Sequence, residues 1–287
     1  MQTVMWELAQ RRAFCKKFRV RYVDRDWPYL EIEQPAGVAR LIGEVKRLPG
    51  IGRVFLRGQT DHYNVMLPSL LRTSEVRTED LLAAERDFTK RVSQEIPVKR
   101  LQCSHLPALL QHYGFRTSWL DVVDNLFIAC WFATTELRRS SDSFAEVVKS
   151  TKTYGWLFLI ATNVGSNELT NLDLRSTSHP LSTRPHVQHG ISLQDPNSIG
   201  RHDLRDFVVG SVRIPVDKYT TAGTLFANSF LFPAPEADHT LRLLVKHHID
   251  DIAVDVEQAH KLSNGTLGRT LRVRASNSNG VTRTQRK

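Results

Sequence analysis

Six consecutive residues, Trp156 to Ala161 (WLFLIA, behind Gly155), constrain the fold more than any other stretch. The run is apolar throughout and short, so it predicts a buried strand. Val54, Phe55 and Leu56 within Arg53 to Arg57 predict a second buried strand, and Val208 to Val216, ended by Pro215, a third. Alternation of Ile252, Val254 and Val256 predicts an edge strand over Ile249 to Val256.

Helical signals fall before and between these strands. After an extended piece at Tyr29 to Glu33, apolar residues recur at Val38, Leu41, Ile42, Val45 and Leu48, with Arg40, Glu44 and Lys46 outside that stripe. Pro49-Gly50 stops the helix. Residues 78–96 predict a second helix, opened by Thr78 with Glu79 and Asp80 in its first turn and ended by Pro97. Leu106 to His112, with Pro107 in its first turn, and Asn125 to Leu137 predict two more. Regular βαβ alternation is absent, so the expected class is α+β. The polar stretch Asn163 to Pro196 shows no period and is expected to be a long functional loop or lid. The expected organisation is a basic lead at 1–30, a domain at 31–256 and a basic tail at 257–287. Disorder is expected from Ser276 to Lys287, where Ser, Asn, Gly, Thr and Arg dominate.

The charge narrows the partners. Thirty-nine Lys and Arg against thirty Asp and Glu give +9 and a pI near 9.7, a balance that favours polyanions or an acidic protein. The excess gathers at the ends. Seven basic residues between Arg11 and Arg25 face Asp24 alone, and seven from Lys261 to Lys287 face only Glu257. These are either solvated termini or an electrostatic recruiter of nucleic acid. No apolar run approaches the roughly 18 residues of a membrane span, and Met1 to Arg12 lacks a secretory pattern. The expected location is cytoplasmic, without a membrane partner. Cys15, Cys103 and Cys130 form no CxxC pair, and Cys130, within apolar Leu126 to Ala133, reads as core.

Three constellations can carry chemistry. Phe55-Leu56-Arg57-Gly58-Gln59, followed by Leu67 to Arg72, puts an arginine fork at a strand end beside a glycine, where a phosphate, carboxylate or ribose can approach. Gln111-His112-Tyr113-Gly114, Thr117-Ser118-Trp119-Leu120-Asp121 and Asn125 gather polar groups around a glycine turn, as a lined pocket or a satisfied polar core. Asp121 is either the N-cap of the following helix or a ligand contact. Thr183 to Gly190 carries His186 and His189 without a third ligand at metal spacing, so no metal site is expected. No P-loop, GxSxG, HExxH or GxGxxG motif is present.

Together these residues resemble the FRG domain family. The first block is Phe55 to Gln59 with Leu67 to Arg72. The second is Gln111 to Asp121 followed by Asn125, Ala129 and Phe132-Ala133, and the third is Gln188 with Gly190. The resemblance covers roughly Glu31 to Val256, with Ser118 and Trp119 departing from the usual family residues. The order of elements is also similar to the arginine class of ADP-ribosyltransferases. That resemblance implies helices packed around a mixed, split, ADP-ribosyltransferase-like β-sheet core, and NAD as co-substrate. It implies that Arg57 and Gln59 bind NAD phosphate or ribose, that His112, Tyr113 and Thr117 shape a nicotinamide pocket, and that Asp121 or Gln188 acts on the ribose. Gln188 stands where the transferases carry an acid, and a glutamine supplies neither a general base nor a countercharge. The expected function is a toxin or phage-defence effector modifying a macromolecule, RNA or DNA above others, with an antitoxin or chaperone as partner. The alternative is a non-catalytic nucleotide- or nucleic-acid-binding sensor.

Overall fold

The computed structural model describes residues 16–17, 19–72, 76–96, 105–141, 144–196, 203–223, 228–247 and 272–274. In chain order the first strands are β1 (Val20–Val23) and β2 (Tyr29–Ile32), followed by helix α1 (Pro35–Val45) and β3 (Val54–Gln59). Helices α2 (Thr78–Glu95) and α3 (Leu106–Gln111) precede β4 (Leu120–Val123) and helix α4 (Leu126–Thr134). Strands β5 (Thr135–Ser141), β6 (Phe144–Lys149) and β7 (Tyr154–Ala161) follow. Then come β8 (Asn163–Val164), β9 (Asn167–Glu168), β10 (Thr170–Asp173), α5 (Leu174–Thr177), α6 (Thr183–Val187) and β11 (Gly190–Gln194). The last described elements are β12 (Val208–Pro215), α7 (Val216–Gly223), α8 (Asn228–Leu231), α9 (His239–Lys246) and β13 (Arg272–Arg274).

Eight strands form one sheet in the order β1-β2-β12-β7-β3-β4-β11-β10. Only β2 and β12 run parallel, so the fold is mixed α and β around a mixed sheet. The three apolar runs read from the sequence become its centre. β7 lies between β12 and β3, with Leu157, Phe158, Leu159 and Ile160 fully buried. In the lead region, β1 pairs with β2, and Arg19 and Arg21 meet Glu33 and Glu31 across that ladder.

Successive residues of a strand face opposite sides. One face buries Val54, Leu56, Leu157 and Leu159 under α1 and α4; the other buries Phe55, Phe158 and Ile160 against Leu120, Leu193 and Phe207. The predicted stripe of α1 is the buried face, and Pro35 stands at its start. Helix α4 is apolar almost all round and buried on nearly all sides, as a helix within a core must be. Cys130 belongs to that core, where burial pushes its thiol up to about 12.

The structure corrects three readings. Asn125, not Asp121, caps α4: its side chain accepts from the backbone N–H groups of Phe127 (2.9 Å) and Ile128 (3.3 Å), while Asp121 sits inside β4. That helix ends at Thr134 because Thr135 turns into β5. The stretch 163–196 is not an irregular lid. It holds β10 and β11, and β11 pairs with β4 as an interior strand of the sheet. Its elements are two to five residues long, too short to show a period. The strand read over Ile249 to Val256, the disorder read over Ser276 to Lys287, and Cys15 and Cys103 lie outside the described residues.

Helix α4 approaches the sheet through glycine. A Cβ on Gly58 would lie 1.9 Å from the Ala129 carbonyl oxygen, and one on Gly155 would lie 2.1 Å from that of Ala133. Backbone of β3 and β7 therefore touches backbone of α4. Gly58→Ala is expected to lower unfolding stability by about 1–3 kcal/mol or more through overpacking. Gly43→Ala, at an exposed helical position with nothing within 4 Å, is expected to raise it by about 1 kcal/mol. Urea denaturation of both variants checks the opposite signs.

Candidate functional site

The sheet splays between β3 and β4. They share one paired position, Leu56 with Val123, and beyond it the strands separate. The Arg57 guanidinium enters the gap and donates to the Asp121 carbonyl oxygen in place of the missing ladder bond. A cavity of about 220 Å³ opens there. Arg57, Gly58 and Asp121 line the strand side, and His112 and Tyr113 come from the turn after α3. Arg184, Gln188, Phe132 and Phe232 complete the wall.

Two arginines line this cavity, Arg57 and buried Arg184. Burial, with Arg72 nearby, pulls the pKa of Arg57 down to about 10, against the attraction of Asp121 and Tyr63. Its Nε is sealed from solvent without a hydrogen-bond partner among the described residues. Burial also lowers the pKa of Arg72, and Arg116 adds to that effect. A desolvated guanidinium with an unused donor is poised for an anion.

His112 is held on two sides. Gln188 donates from Nε2 to the Leu231 carbonyl (2.8 Å), which turns its Oε1 toward His112 Nδ1 at 3.1 Å. Nδ1 therefore carries a proton. The other ring nitrogen, Nε2, lies 3.3 Å from Asp121 Oδ1, outside hydrogen-bond alignment, and neither atom has another partner among the described residues. The pair is an imidazole and a carboxylate in close contact, and both residues line the cavity. Asp121 is about one-third exposed, so the carboxylate is reachable. The closeness of His112 to β11 requires Gly190, where a Cβ would meet the imidazole at 2.6 Å. Gly114, at φ +94°, makes the turn that brings His112 and Tyr113 into place.

The far wall is a polar network centred on Asp238, with Arg184 Nε left without a partner among the described residues. The Tyr113 hydroxyl donates to fully buried Asp238 (2.9 Å), and burial raises its pKa well above the ordinary tyrosine value. Asp238 also accepts from the backbone N–H groups of Arg184 (2.7 Å) and Leu241 (2.9 Å), the latter as the cap of α9. Arg184 donates to the His112 carbonyl at 3.0 Å and lies over the rings of Tyr113 and Phe232. Tyr113 thus offers the cavity its ring while its hydroxyl serves Asp238.

Of the residues singled out in the sequence, Arg57, His112, Tyr113, Asp121 and Gln188 come together around the cavity. Gln59 and Thr117 do not line it: Gln59 ends β3 opposite Trp156, and Thr117 donates to Gln111, which does line it. His189 bonds Asp124 at 2.8 Å instead of facing the cavity, and no group of three metal-ligating side chains exists among the described residues. Sequence reasoning missed Arg184 as a site residue, together with Phe232, Asp238 and Glu85. Arg184 lay inside a noticed motif, but nothing in its spacing marks a buried arginine.

Glu85 of α2 supports the site from behind. Its carboxylate accepts from the Ser118 N–H at 2.8 Å, within the segment leading to Asp121, and burial raises its pKa above the ordinary glutamate value. The folded state therefore holds this proton to higher pH than the unfolded chain. That contribution favours folding below the ordinary value and is lost as pH rises through the raised one. Glu85→Gln, which keeps an acceptor for Ser118, is expected to match the wild type near pH 4 and to gain relative stability by pH 8. Urea midpoints at the two pH values measure this.

Among known protein families, residues 52–142 match the model described as FRG domain. No curated protein and no solved structure matches the chain. The matched segment contains Arg57, His112, Tyr113, Asp121 and Phe132, whereas Arg184, Gln188 and Phe232 lie beyond it. Over that segment, which builds the β3 and β4 sides of the cavity, the chain is similar to the FRG domain family.

Proposed function

We propose that the cavity binds the nicotinamide-ribose end of NAD and that the protein is an ADP-ribosyltransferase-like effector acting on a macromolecule. The observation that carries this reading is the buried, incompletely bonded Arg57 beside the His112–Asp121 pair in one small cavity. At about 220 Å³ the space is below the roughly 300–1,000 Å³ of sites that enclose a whole drug-sized ligand. It suits one ring with its sugar and leaves the phosphates to Arg57 and neighbouring Arg72. The splay between β3 and β4 accords with a split, ADP-ribosyltransferase-like sheet.

Bound NAD would supply the ADP-ribosyl group. The rings of Tyr113, Phe132 and Phe232 would exclude water from the leaving ring. Asp121, the one carboxylate lining the cavity among the described residues, would stabilise positive charge developing at the sugar. His112, oriented by Gln188, would move a proton at Nε2. Gln188 would act through His112, since both ends of its amide are engaged. The +9 charge favours RNA or DNA as acceptor, in a toxin or defence setting with an antitoxin or chaperone as restraining partner.

Purified protein incubated with NAD labelled in its adenylate half and total RNA, DNA or lysate is expected to transfer label to nucleic acid. Asp121→Asn should reduce transfer by about 100-fold or more, the scale of a lost electrostatic or acid–base group. Absence of transfer to every acceptor would remove the enzymatic reading. The committed Gln188 amide favours one second reading, a pocket that binds a nucleotide without turnover. Saturable NAD binding by calorimetry, abolished in Arg57→Ala and without NAD consumption, would establish it.

A further inference from the structure

A second pocket, of about 450 Å³, lies on the sheet face opposite α4. Its floor is aromatic. Trp27 and Trp156 flank His62, with ring centroids 4.9 Å and 4.3 Å from the imidazole, and all three rings are half-buried. Tyr29 stands edge-on to Trp156 at 4.9 Å. The Trp27 indole N–H donates to Ser211 Oγ at 2.8 Å, which anchors the ring from the sheet side.

The rim is cationic. Arg205 lies over Trp27 at 5.5 Å and donates to the Asn64 carbonyl at 3.1 Å, and Arg25 lines the same opening. Arg213 is paired with Glu31 at 2.8 Å, a carboxylate it shares with Arg21. Arg25 and Arg205 stand against one lining carboxylate, Asp26. Asp61, next to His62 in the chain, is engaged by Lys152. Two polar atoms of the pocket, His62 Nε2 and Arg213 Nε, are sealed from solvent without a hydrogen-bond partner among the described residues. Burial lowers the pKa of His62, so its imidazole is neutral at pH 7 and can accept or donate.

Aromatic faces with a cationic rim select a ligand that is planar at one end and anionic at the other. The positive rim disfavours the ammonium groups that purely aromatic cages take. The unused polar atoms are out of keeping with an apolar guest. We infer that this pocket binds a nucleotide unit, its base against Trp27, His62 and Trp156 and its phosphate on Arg25 and Arg205. The inference is independent of chemistry in the β3–β4 cavity. The unit can come from a single-stranded nucleic acid or from a free mononucleotide.

Fluorescence anisotropy with labelled ten-nucleotide RNA and DNA strands, and tryptophan quenching by AMP and UMP, test the full chain. Saturable binding of the strands alone assigns the pocket to single-stranded nucleic acid; saturable quenching by the mononucleotides assigns it to free nucleotide. In either case Arg205→Glu and His62→Ala are each expected to weaken binding about tenfold or more, the scale of one stacked base or a lost phosphate contact. Lys90→Glu, the same charge change at an exposed position of α2, should change it less than about twofold by the same reasoning. Equal losses in Arg205→Glu and Lys90→Glu would reduce the effect to general electrostatics and overturn the inference. So would an abasic strand that binds as tightly as the normal one, or the absence of binding by every probe.

Discussion

Backbone contact between α4 and the sheet governs the arrangement of the site. Gly58 and Gly155 sit on adjacent strands, and each lets a carbonyl of the helix come where any side chain would stand. The helix can therefore be apolar on nearly every side and still be covered, with strands on one side and Phe232 and Tyr219 among its other core neighbours. The same closeness places Arg57. It precedes Gly58 on β3, so its side chain starts from the face opposite α4 and reaches the Asp121 carbonyl across the gap to β4.

Charge buried around that gap is satisfied unevenly. Asp238 accepts from Tyr113, Arg184 and Leu241, and Arg184 lies over two rings, though its Nε has no hydrogen-bond partner among the described residues. Glu85 holds the Ser118 backbone. Arg57, His112 and Asp121 also keep unused atoms, those of His112 and Asp121 set against one another. Orphaned polar atoms in a protein interior are costly, by about 1–3 kcal/mol each. Arg57, His112, Asp121 and Arg184 each leave such an atom around one cavity, the energetic mark of a place prepared for something else.

The central strands and the first helix were legible because their apolar residues follow a period long enough to read: WLFLIA for β7, and the three- and four-residue steps of α1. Cap chemistry was less legible. Asp121 and Asn125 are both good acceptors ahead of the same apolar run, and strand pairing of Leu120 to Val123 with β11 decides in favour of Asn125. The strands within 163–196 escaped notice because two to five residues carry no measurable periodicity. Five of the seven singled-out site residues converge on the cavity because their motifs flank the β3–β4 gap. Arg184 donates to His112 from seventy-two residues away, and Phe232 joins from another helix end. No local spacing encodes such a meeting, since it depends on how separate elements pack.

The loop after β3 links the cavity to the aromatic pocket on the other face. His62 lies in that pocket, while half-exposed Tyr63 is close enough to Arg57 and Arg72 to act on their charge. Arg116 acts on Arg72 in turn, and Arg205 touches the same loop at Asn64. Positive charge therefore runs along both sides of one short loop, from Arg116 and Arg72 through Arg57 to Arg205. Two unrelated anion sites would not need this adjacency. A polyanion longer than one nucleotide experiences the whole row, and its attraction to the row orients it along the loop instead of across it. Loop residues 61–65 would then act as the positioning element. On the proposed reading, a chain held by its base at Trp27, His62 and Trp156 would have its neighbouring phosphates drawn along this row toward Arg72 and Arg57.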